Sequence, residues 1–503
     1  MKTLKRTLAL IAALTVVATT FAACKDKDKD EKSSSSSTTT TGTSATTAAG
    51  ETTTDGAVDP GPASAKPDDS AVTLKSGGAN FTVVAWNPND FPALLATFAG
   101  KVDQVSASDA AVNVDLLKGA TTPSGAAINF VNLNVGSADA KQSYDNMLAG
   151  GEDIDIYAAE ADFALDYIGD SAKSADFKEL GYKESDWSNA YKYTLEIGKD
   201  ANGALRGISW QACPGGYSYR TDLAKEYLGV ETPEAMQAKV KDWDTMTATA
   251  AELSEKSGGK TAITATLGGI WQVYQPARDK SWVVDNKLVA DDAKSLKFVS
   301  LAKEWIDKGY TTKVGQWSDA WKPLGQDGST LGYFVSTWGF GDTILIGAAG
   351  GKGGASYGKW GLVTGPQGFF WGGTWFIVNP KTDNGIDAKD FIYELTLNED
   401  TMAKYAKAKG EYMNNKKVMS AGKELANADI SENFGGQDYI SGLSAAAAAI
   451  NIDSTKITKY DATIKADFIT AVTDYTNGNY ASVDATIKAF TDKVYGDIPS
   501  LTE

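Results

Sequence analysis

Short apolar runs that alternate with helical patterns constrain the fold of this chain more than any other feature. Residues 81–86 (FTVVAW) form a nearly continuous apolar run of strand length, and residues 128–133 and 154–157 follow as more mixed runs. A continuous run is typical of a strand buried on both faces of a parallel sheet, whereas the mixed runs favour positions nearer a sheet edge. Strands that alternate with helices predict α/β architecture with doubly wound sheets.

Three segments carry the periodicity of amphipathic helices between and after these strands. They are residues 141–148, which stop at Gly150-Gly151; residues 298–305, which stop before Gly309; and a helix that Asp387 is expected to cap. In doubly wound sheets, ligands bind beyond the carboxyl ends of the strands. This rule points to Trp86-Asn87 and to residues 160–162 as candidate site segments.

A long stretch without apolar periodicity precedes the folded body. Residues 33–54 contain sixteen Ser or Thr among twenty-two, and residues 59–69 add prolines. Such a composition cannot bury enough apolar surface to offset the entropy of ordering, so the sequence predicts disorder here. About 425 residues follow residue 78. Because that is more than one core normally serves, we expect two lobes.

The first 23 residues have the pattern of a secretory signal peptide. Basic residues precede the apolar run 8–23, which is short for a membrane span of roughly 20 residues. Cys24 follows Ala22-Ala23 and resembles the cysteine of a bacterial lipobox, with Phe21 where that motif usually has Leu. The resemblance implies cleavage before Cys24 and its acylation. The alternative is an ordinary signal peptide with an incidental cysteine.

Charge and composition exclude several classes of function. A formal net charge of −16 argues against a nucleic-acid partner and against electrostatic binding to anionic lipid. The chain has no histidine, so a Ser-His-Asp or Cys-His site is impossible and a usual zinc site is disfavoured. With Cys24 lipidated, Cys213 has no disulfide partner, and we expect it to be a small buried residue. We expect neither a metal nor a cofactor.

Aromatic residues concentrate in loops rich in glycine and polar residues. The chain has 13 tryptophans, and several lie in segments such as STWGFG (336–341) and FFWGGTWF (369–376). A pyranose offers a face of C–H groups to aromatic rings and a rim of hydroxyls to amides and carboxylates. The pattern favours a sugar site, but aromatic residues that only pack beneath the loops would give the same pattern.

Several segments resemble the extracellular solute-binding proteins of carbohydrate ABC importers, the group that includes maltose-binding protein. TVVAWN (82–87) is similar to the opening strand of that group, YSYRTDLAKEYLG (217–229) to a Tyr-Arg-x-Asp signature, and residues 365–384 to the return strand. The similar blocks cover most of residues 79–500 in the right order.

The resemblance implies a periplasmic-binding-protein-like fold in which two α/β lobes joined by a hinge enclose a ligand cleft. The first lobe would comprise residues 79–205 and 370–410, and the second residues 206–369 and 411–503. Residues 24–78 would form the lipidated, disordered tether.

The resemblance also implies a set of ligand-contacting residues. Trp338 would stack on the sugar, and Glu160 and Asp162 would bind hydroxyls. Arg278 could equally form a structural ion pair, and one of Trp371 and Trp375 could belong to the core. The complete predicted set is Trp86, Asn87, Glu160, Asp162, Trp210, Tyr217, Trp271, Tyr274, Arg278, Trp338, Trp371, Trp375 and Gln437.

These observations predict a non-enzymatic, membrane-anchored lipoprotein on the extracytoplasmic face of a Gram-positive type of cell. It would be a monomer that captures an oligosaccharide and delivers it to the transmembrane subunits of an ABC permease. One alternative is a surface glycoside hydrolase with a pair of carboxylates, which the composition leaves open. Another is a cell-surface adhesin that binds glycans without a permease.

Overall fold

The structure is a computed structural model that describes residues 65–86, 90–100, 117–452 and 454–502. The predicted signal peptide, Cys24, most of the predicted tether and Asn87 lie outside these residues. The strands of the described residues are β1 (Asn80–Ala85), β2 (Ala127–Asn132), β3 (Ile156–Glu160), β4 (Ile208–Ser209), β5 (Gly215–Arg220), β6 (Val283–Val284), β7 (Lys287–Leu288), β8 (Gly332–Ser336), β9 (Trp360–Val363) and β10 (Thr374–Val378).

Helices connect and cover these strands, and two π-helical segments, Ala224–Leu228 and Phe340–Ala348, lie among them. None of the described helices is both long and apolar enough to cross a membrane. The α-helices are α1 (Phe91–Phe98), α2 (Ser137–Gly150), α3 (Ala164–Ile168), α4 (Lys192–Ile197), α5 (Thr221–Leu223), α6 (Pro233–Lys239), α7 (Trp243–Ser257), α8 (Leu267–Tyr274), α9 (Ala293–Asp307), α10 (Gly385–Thr396), α11 (Glu399–Lys409), α12 (Lys416–Met419), α13 (Ala428–Asn433), α14 (Tyr439–Ala448), α15 (Asp461–Thr476) and α16 (Val483–Asp497).

The first sheet has the strand order β2-β1-β3-β10-β4. Strand β1 runs parallel to β2 and β3, whereas β10 is antiparallel to β3 and β4. β1 is buried from Phe81 to Ala85, as its continuous apolar run predicts, and β2 lies at the sheet edge as expected. The prediction of an edge position for the third run is wrong, because β3 is central. Its preceding Asp155 tolerates burial since it accepts hydrogen bonds from Thr82 N at 2.7 Å and Asn384 Nδ2 at 3.1 Å.

The second sheet has the order β8-β5-β9, with both outer strands antiparallel to β5. Aromatic side chains cover both of its faces: Tyr333 packs near Trp360 on one face, and Phe334 packs near Trp243 on the other. The chain passes from the first sheet to the second between Ser209 and Gly215, and it returns between Val363 and Thr374. The exact lobe boundaries given above stay a prediction.

The predicted helices are present, with one difference at a helix start. Helix α2 ends at Gly151, which adopts a left-handed φ of 72° and closes the helix. Helix α9 buries its predicted apolar stripe and ends just before Gly309. Asp387 is not the cap of α10, because Asn384 occupies that position and Asp387 lies in the first turn. Its carboxylate accepts a hydrogen bond from Ser124 Oγ at 2.7 Å instead.

Residues 66–78 form a strap along the first lobe, so the folded body begins before residue 79. The Lys389 side chain of α10 has no solvent-exposed surface and pairs with Asp69 and Asp390. Farther along the strap, Thr73 N donates to Glu179 O at 2.8 Å and Gly385 N donates to Lys75 O at 2.7 Å. Part of the segment predicted as disordered tether is therefore ordered, because charges on α10 bind it.

Candidate functional site

Three extended segments run side by side between the two sheets. Ala212 N donates to Tyr412 O at 2.9 Å, and Asn414 N donates to Trp210 O at 3.0 Å. On the other side of the first segment, Gly215 N donates to Phe369 O at 2.8 Å. Residues 209–215, 369–374 and 410–414 therefore form a narrow backbone connection, which we call the hinge.

Glu411 and Cys213 are ionisable side chains buried in this hinge. Glu411 accepts hydrogen bonds from the Thr337 hydroxyl and from Tyr412 N. Burial raises the pKa of Glu411 to about 7, although these hydrogen bonds oppose the rise. Cys213 is fully buried, as predicted, and burial with the nearby Glu411 charge raises the pKa of its thiol.

A cleft of about 850 Å³, counting space open to solvent, lies beside the hinge. One wall comes from the loop after β3 and from α3 and α4, which flank the first sheet. The opposite wall comes from α8 and from the start of α15, which pack beside the second sheet. Segment 370–372 of the hinge closes the bottom. The polar lining residues are Asp162, Gln272, Gln275, Arg278, Lys456, Thr458, Asp461 and Lys465.

Helix α8 divides its aromatic and amide side chains between two faces. Trp271 packs between Phe298 and Phe468 with ring centroids 4.8 Å from each, so this predicted site residue belongs mainly to the core. Gln272 directly follows Trp271 and Gln275 directly follows Tyr274, and both glutamines line the cleft. The nearly buried Tyr274 shares the core face with Trp271. The predicted segment is therefore correct, but its cleft face carries amides.

Carboxylates and an ammonium group set the electrostatics of the cleft. Burial, together with the charge of Asp162, raises the pKa of Glu160 well above its usual range. The Lys465 ammonium and the backbone N–H of Asp162, 2.8 Å from Glu160 Oε2, oppose this rise. Burial also raises the pKa of Asp461, against the opposing effect of Lys465. The first lobe thus contributes the Asp162 carboxylate to the cleft, and the second lobe contributes both Asp461 and Lys465.

Four indole rings form a tryptophan cluster at the end of β8. Trp338 stacks on Trp317 at a centroid distance of 5.6 Å and an interplanar angle of 27°. The same ring meets Trp371 edge to face at 5.0 Å, and Trp338 Nε1 donates to Trp371 O at 2.9 Å. Trp321 supports Trp317 from behind, with ring centroids 5.0 Å apart.

Glycine is required where the hinge passes this cluster. Gly372 has a φ of 79°, and a Cβ there would lie 3.3 Å from Trp338 Nε1. Its neighbour Trp371 lines the cleft, so the tryptophan cluster reaches the cleft through this ring. Glu160 also lies next to Gly372, because the same added Cβ would be 3.8 Å from Glu160 Oε1.

Arg278 lines the cleft, but its guanidinium nitrogens donate hydrogen bonds to other groups of the protein. The guanidinium stacks on Trp282 with its carbon 3.5 Å from the ring centroid. It donates to the Ser295 hydroxyl and to the carbonyl oxygens of Val289 at 3.0 Å and Lys280 at 3.3 Å. Desolvation lowers its pKa to about 10, so the group stays charged at neutral pH. Arg278 therefore shapes the wall and is not a free ligand donor.

The structure brings together Glu160, Asp162, Trp338 and Trp371 of the predicted set, with Arg278 in the adjoining wall. Other members are buried in hydrophobic cores or bonded to backbone, which corrects their prediction as ligand contacts. Those residues are Trp86, against Phe91 and Phe163; Trp210, against Tyr405; Tyr217, with its hydroxyl on Ile263 O; Tyr274, against Trp243; Trp375, with Nε1 on Thr194 O; and Gln437, whose amide pairs with both backbone groups of Leu362.

Sequence reasoning missed Trp317, Gln272, Gln275 and Lys465. The two glutamines had a usable signal, because they repeat at i and i+3 beside two aromatic residues on the other face. Trp317 had none, since its placement depends on a turn that sequence does not reveal. Among the described residues, no group of three or more Cys, Asp and Glu side chains is placed to hold a metal ion.

Two α/β lobes that meet at a narrow hinge and enclose a polar and aromatic cleft define a two-lobed ligand-binding protein. Residues 121–433 match the family model of the bacterial extracellular solute-binding proteins. This match spans more than half of the 503 residues, and the chain belongs to this family. Membership assigns it a substrate-binding role outside the cytoplasm. No curated protein matches the sequence.

Solved structures share the fold at low sequence identity. An extracellular solute-binding protein of family 1 has a TM-score of 0.67 at 18% identity, over 83% of this chain and 100% of its own. The ABC transporter associated binding protein of B. animalis subsp. lactis Bl-04 has a TM-score of 0.60 at 18% identity, over 85% and 99%. The galacto-N-biose/lacto-N-biose I-binding protein of Bifidobacterium longum has 0.62 at 13%, over 85% and 100%. The predicted two-lobed fold is confirmed.

Proposed function

We propose that this protein is the substrate-binding lipoprotein of an ABC importer and that it captures an oligosaccharide in the cleft. The observation that carries the proposal is the composition of the cleft. Trp371 supplies an aromatic surface at its floor, Asp162 supplies a carboxylate from the first lobe, and Gln272 and Lys465 supply donors from the second. A ligand that contacts all of them bridges the two lobes.

The chemistry of the cleft matches a neutral, hydroxyl-rich ligand. Three basic side chains (Arg278, Lys456 and Lys465) and two acidic ones (Asp162 and Asp461) line it, so the charges nearly balance and favour no strongly ionic solute. Amides and carboxylates can pair with vicinal hydroxyls, while indole rings take the C–H face of a pyranose. The fold relatives support the same class. The binding proteins of B. animalis and Bifidobacterium longum described above were solved with β-1,6-galactobiose and lacto-N-biose, and an ABC substrate-binding protein from Listeria monocytogenes was solved with cycloalternan.

Closure of the lobes about the hinge would trap the sugar and present the closed form to the transmembrane subunits of a permease. Hinge closure around ligand is the usual transition of two-lobed binding proteins. The protein acts as a monomer without cofactor or catalysis. Acylated Cys24 would hold it at the outer face of the membrane, and the Ser/Thr-rich composition of residues 33–54 suits a spacer between the anchor and the folded body.

A titration of intrinsic tryptophan fluorescence tests ligand class. The panel contains malto-, xylo-, manno- and galacto-oligosaccharides, and the tryptophan cluster should report binding as a saturable change. Small-angle scattering with the best ligand should show a decrease in radius of gyration. Binding without compaction would favour a glycan adhesin, and no response to any sugar alongside binding of another solute class would refute the sugar assignment.

Two further measurements address the remaining alternatives. New reducing ends after incubation with the bound oligosaccharide would identify a glycoside hydrolase that uses a carboxylate pair such as Glu160 and Asp162. For the anchor, the wild type should partition into detergent and incorporate labelled palmitate, whereas Cys24→Ala should do neither. Equal partition of both forms would contradict lipidation at Cys24.

A further inference from the structure

A second groove adjoins the cleft along helix α8. It measures about 940 Å³, counting space open to solvent, and lies between the start of α8, loop 312–317 and the last turns of α15. Gln272 lines both this groove and the cleft. The two depressions are therefore neighbours that share one amide side chain, and a ligand long enough to pass Gln272 would enter both.

Trp317 lies where the groove meets the tryptophan cluster. It lines the groove, and its ring centroid is 5.6 Å from that of Trp371, which lines the cleft. The residue is 61% exposed and has a φ of 72°. A bulky side chain seldom adopts this left-handed conformation. Burial does not compensate for it here, and such combinations of strain and exposure concentrate at ligand sites.

The polar lining of the groove suits hydroxyl groups. Gln316 lines it, and the side-chain nitrogen of Gln316 is buried with no hydrogen-bond partner among the described residues. An unsatisfied donor of this kind is costly unless a ligand or water accepts from it. Asn477, which is exposed, adds a third amide beside Gln316 and Gln272. The groove thus repeats the composition of the cleft, with two indoles, of the nearly buried Trp271 and the exposed Trp317, and three amides.

We propose that the groove is an accessory subsite for the distal units of a neutral oligosaccharide whose first units lie in the cleft. In this proposal Trp317 is the platform on which a distal unit stacks, and it sets the minimum chain length for tight binding. The inference rests on the proposed function, because it requires that the cleft binds sugar. It adds a length preference that the cleft alone does not produce.

The test is calorimetric titration of the full chain with two homologous series, maltose to maltohexaose and β-1,6-galactobiose to its longer homologues. The wild type should bind the longer members of one series at least about tenfold more tightly than the disaccharide, which corresponds to one stacked unit. Trp317→Ala should remove that gain, so that its loss of affinity is at least about tenfold larger for the longer sugars than for the disaccharide. Ile346→Ala is the control, because Ile346 is 63% exposed and lies outside both depressions.

A second variant tests the groove without removing the indole. Thr473 lies on the exposed side of the groove, so Thr473→Tyr should fill it and weaken only the longer sugars. Affinity that does not rise with length in the wild type would overturn the accessory subsite while leaving sugar binding intact. Equal losses for short and long sugars in Trp317→Ala would also overturn it. Failure of every sugar to bind would overturn the proposed function and this inference together.

Discussion

Glu411→Gln tests the electrostatics of the hinge. The carboxyl group of Glu411 is enclosed by the Thr337 hydroxyl, Tyr412 N and Gln211, and the charge of Asp90 adds to the effect of burial. Its pKa is about 7 in the folded protein, compared with 4.5 ordinarily. The folded state therefore binds this proton more tightly than the unfolded state.

The sign of the effect follows from proton linkage. Because the folded-state pKa is raised, the stabilising contribution of protonated Glu411 is complete below pH 4.5 and is lost as the pH rises through about 7. Each pH unit in that window is worth about 1.4 kcal/mol, so the total loss is about 3 kcal/mol. Glutamine keeps the shape and cannot titrate. The variant should therefore lack this decline.

Urea denaturation at intervals from pH 4 to pH 8 measures the difference. The free energy of unfolding of Glu411→Gln, relative to wild type, should increase by about 3 kcal/mol across the range. Glu255→Gln is the matched control, because Glu255 is exposed on α7 and its replacement should leave the pH profile unchanged. A difference between Glu411→Gln and wild type that is constant with pH would refute the reasoning, since it would mean that Glu411 titrates alike in both states.

Four other substitutions have defined outcomes. Trp338→Ala should weaken sugar binding by about tenfold or more, measured by calorimetry, because it removes the ring between Trp317 and Trp371; unchanged affinity would exclude its stacking role. Trp375→Ala should lower the free energy of unfolding by about 3–5 kcal/mol, since this ring is buried. Trp371→Ala, by contrast, should mainly weaken binding. The reverse pattern, measured by urea denaturation and by ligand titration, would contradict the assignment of Trp375 to the core and Trp371 to the cleft. Lys389→Met should cost about 2 kcal/mol and expose the strap to limited proteolysis, because it breaks the ion pair with Asp69; proteolysis as slow as in wild type would show that the strap holds without it.

Much of the fold could be predicted from the sequence because the residue composition of a strand reflects how many of its faces are buried. The run at 81–86 required two buried faces, and the structure places β1 inside a sheet. The error at β3 has a physical cause. Asp155 made that run look half-exposed, but distant Thr82 and Asn384 satisfy its carboxylate. A hydrogen bond between residues far apart in the chain is not visible in local periodicity.

The site was harder to predict because identical residue types serve opposite purposes. Trp371 and Trp375 lie four residues apart, yet one lines the cleft and the other is buried with its indole N–H on Thr194 O. Trp375 lies within β10, whereas Trp371 precedes that strand and is separated from it by Gly372 and Gly373, with left-handed φ values of 79° and 108°. The sequence does not fix where the strand begins. The amides of α8 were predictable, since helical spacing separates Gln272 from Trp271. They were not among the predicted contacts because the aromatic residues beside them give the stronger signal for a sugar site.

The strap would have a mechanical consequence if the proposed anchor holds the protein by its amino-terminal end. Tension applied at residue 66 would pass through Lys389 into α10 and into the start of β1. The cleft lies near the other end of β1, beyond its last residues. The hinge segments at 209–215 and 410–414 lie outside that path. A pulling force on the amino-terminal end would then move the first lobe as a rigid body without separating the two lobes. Anchoring and lobe closure would be mechanically independent, so a force on the anchor would not release the bound ligand.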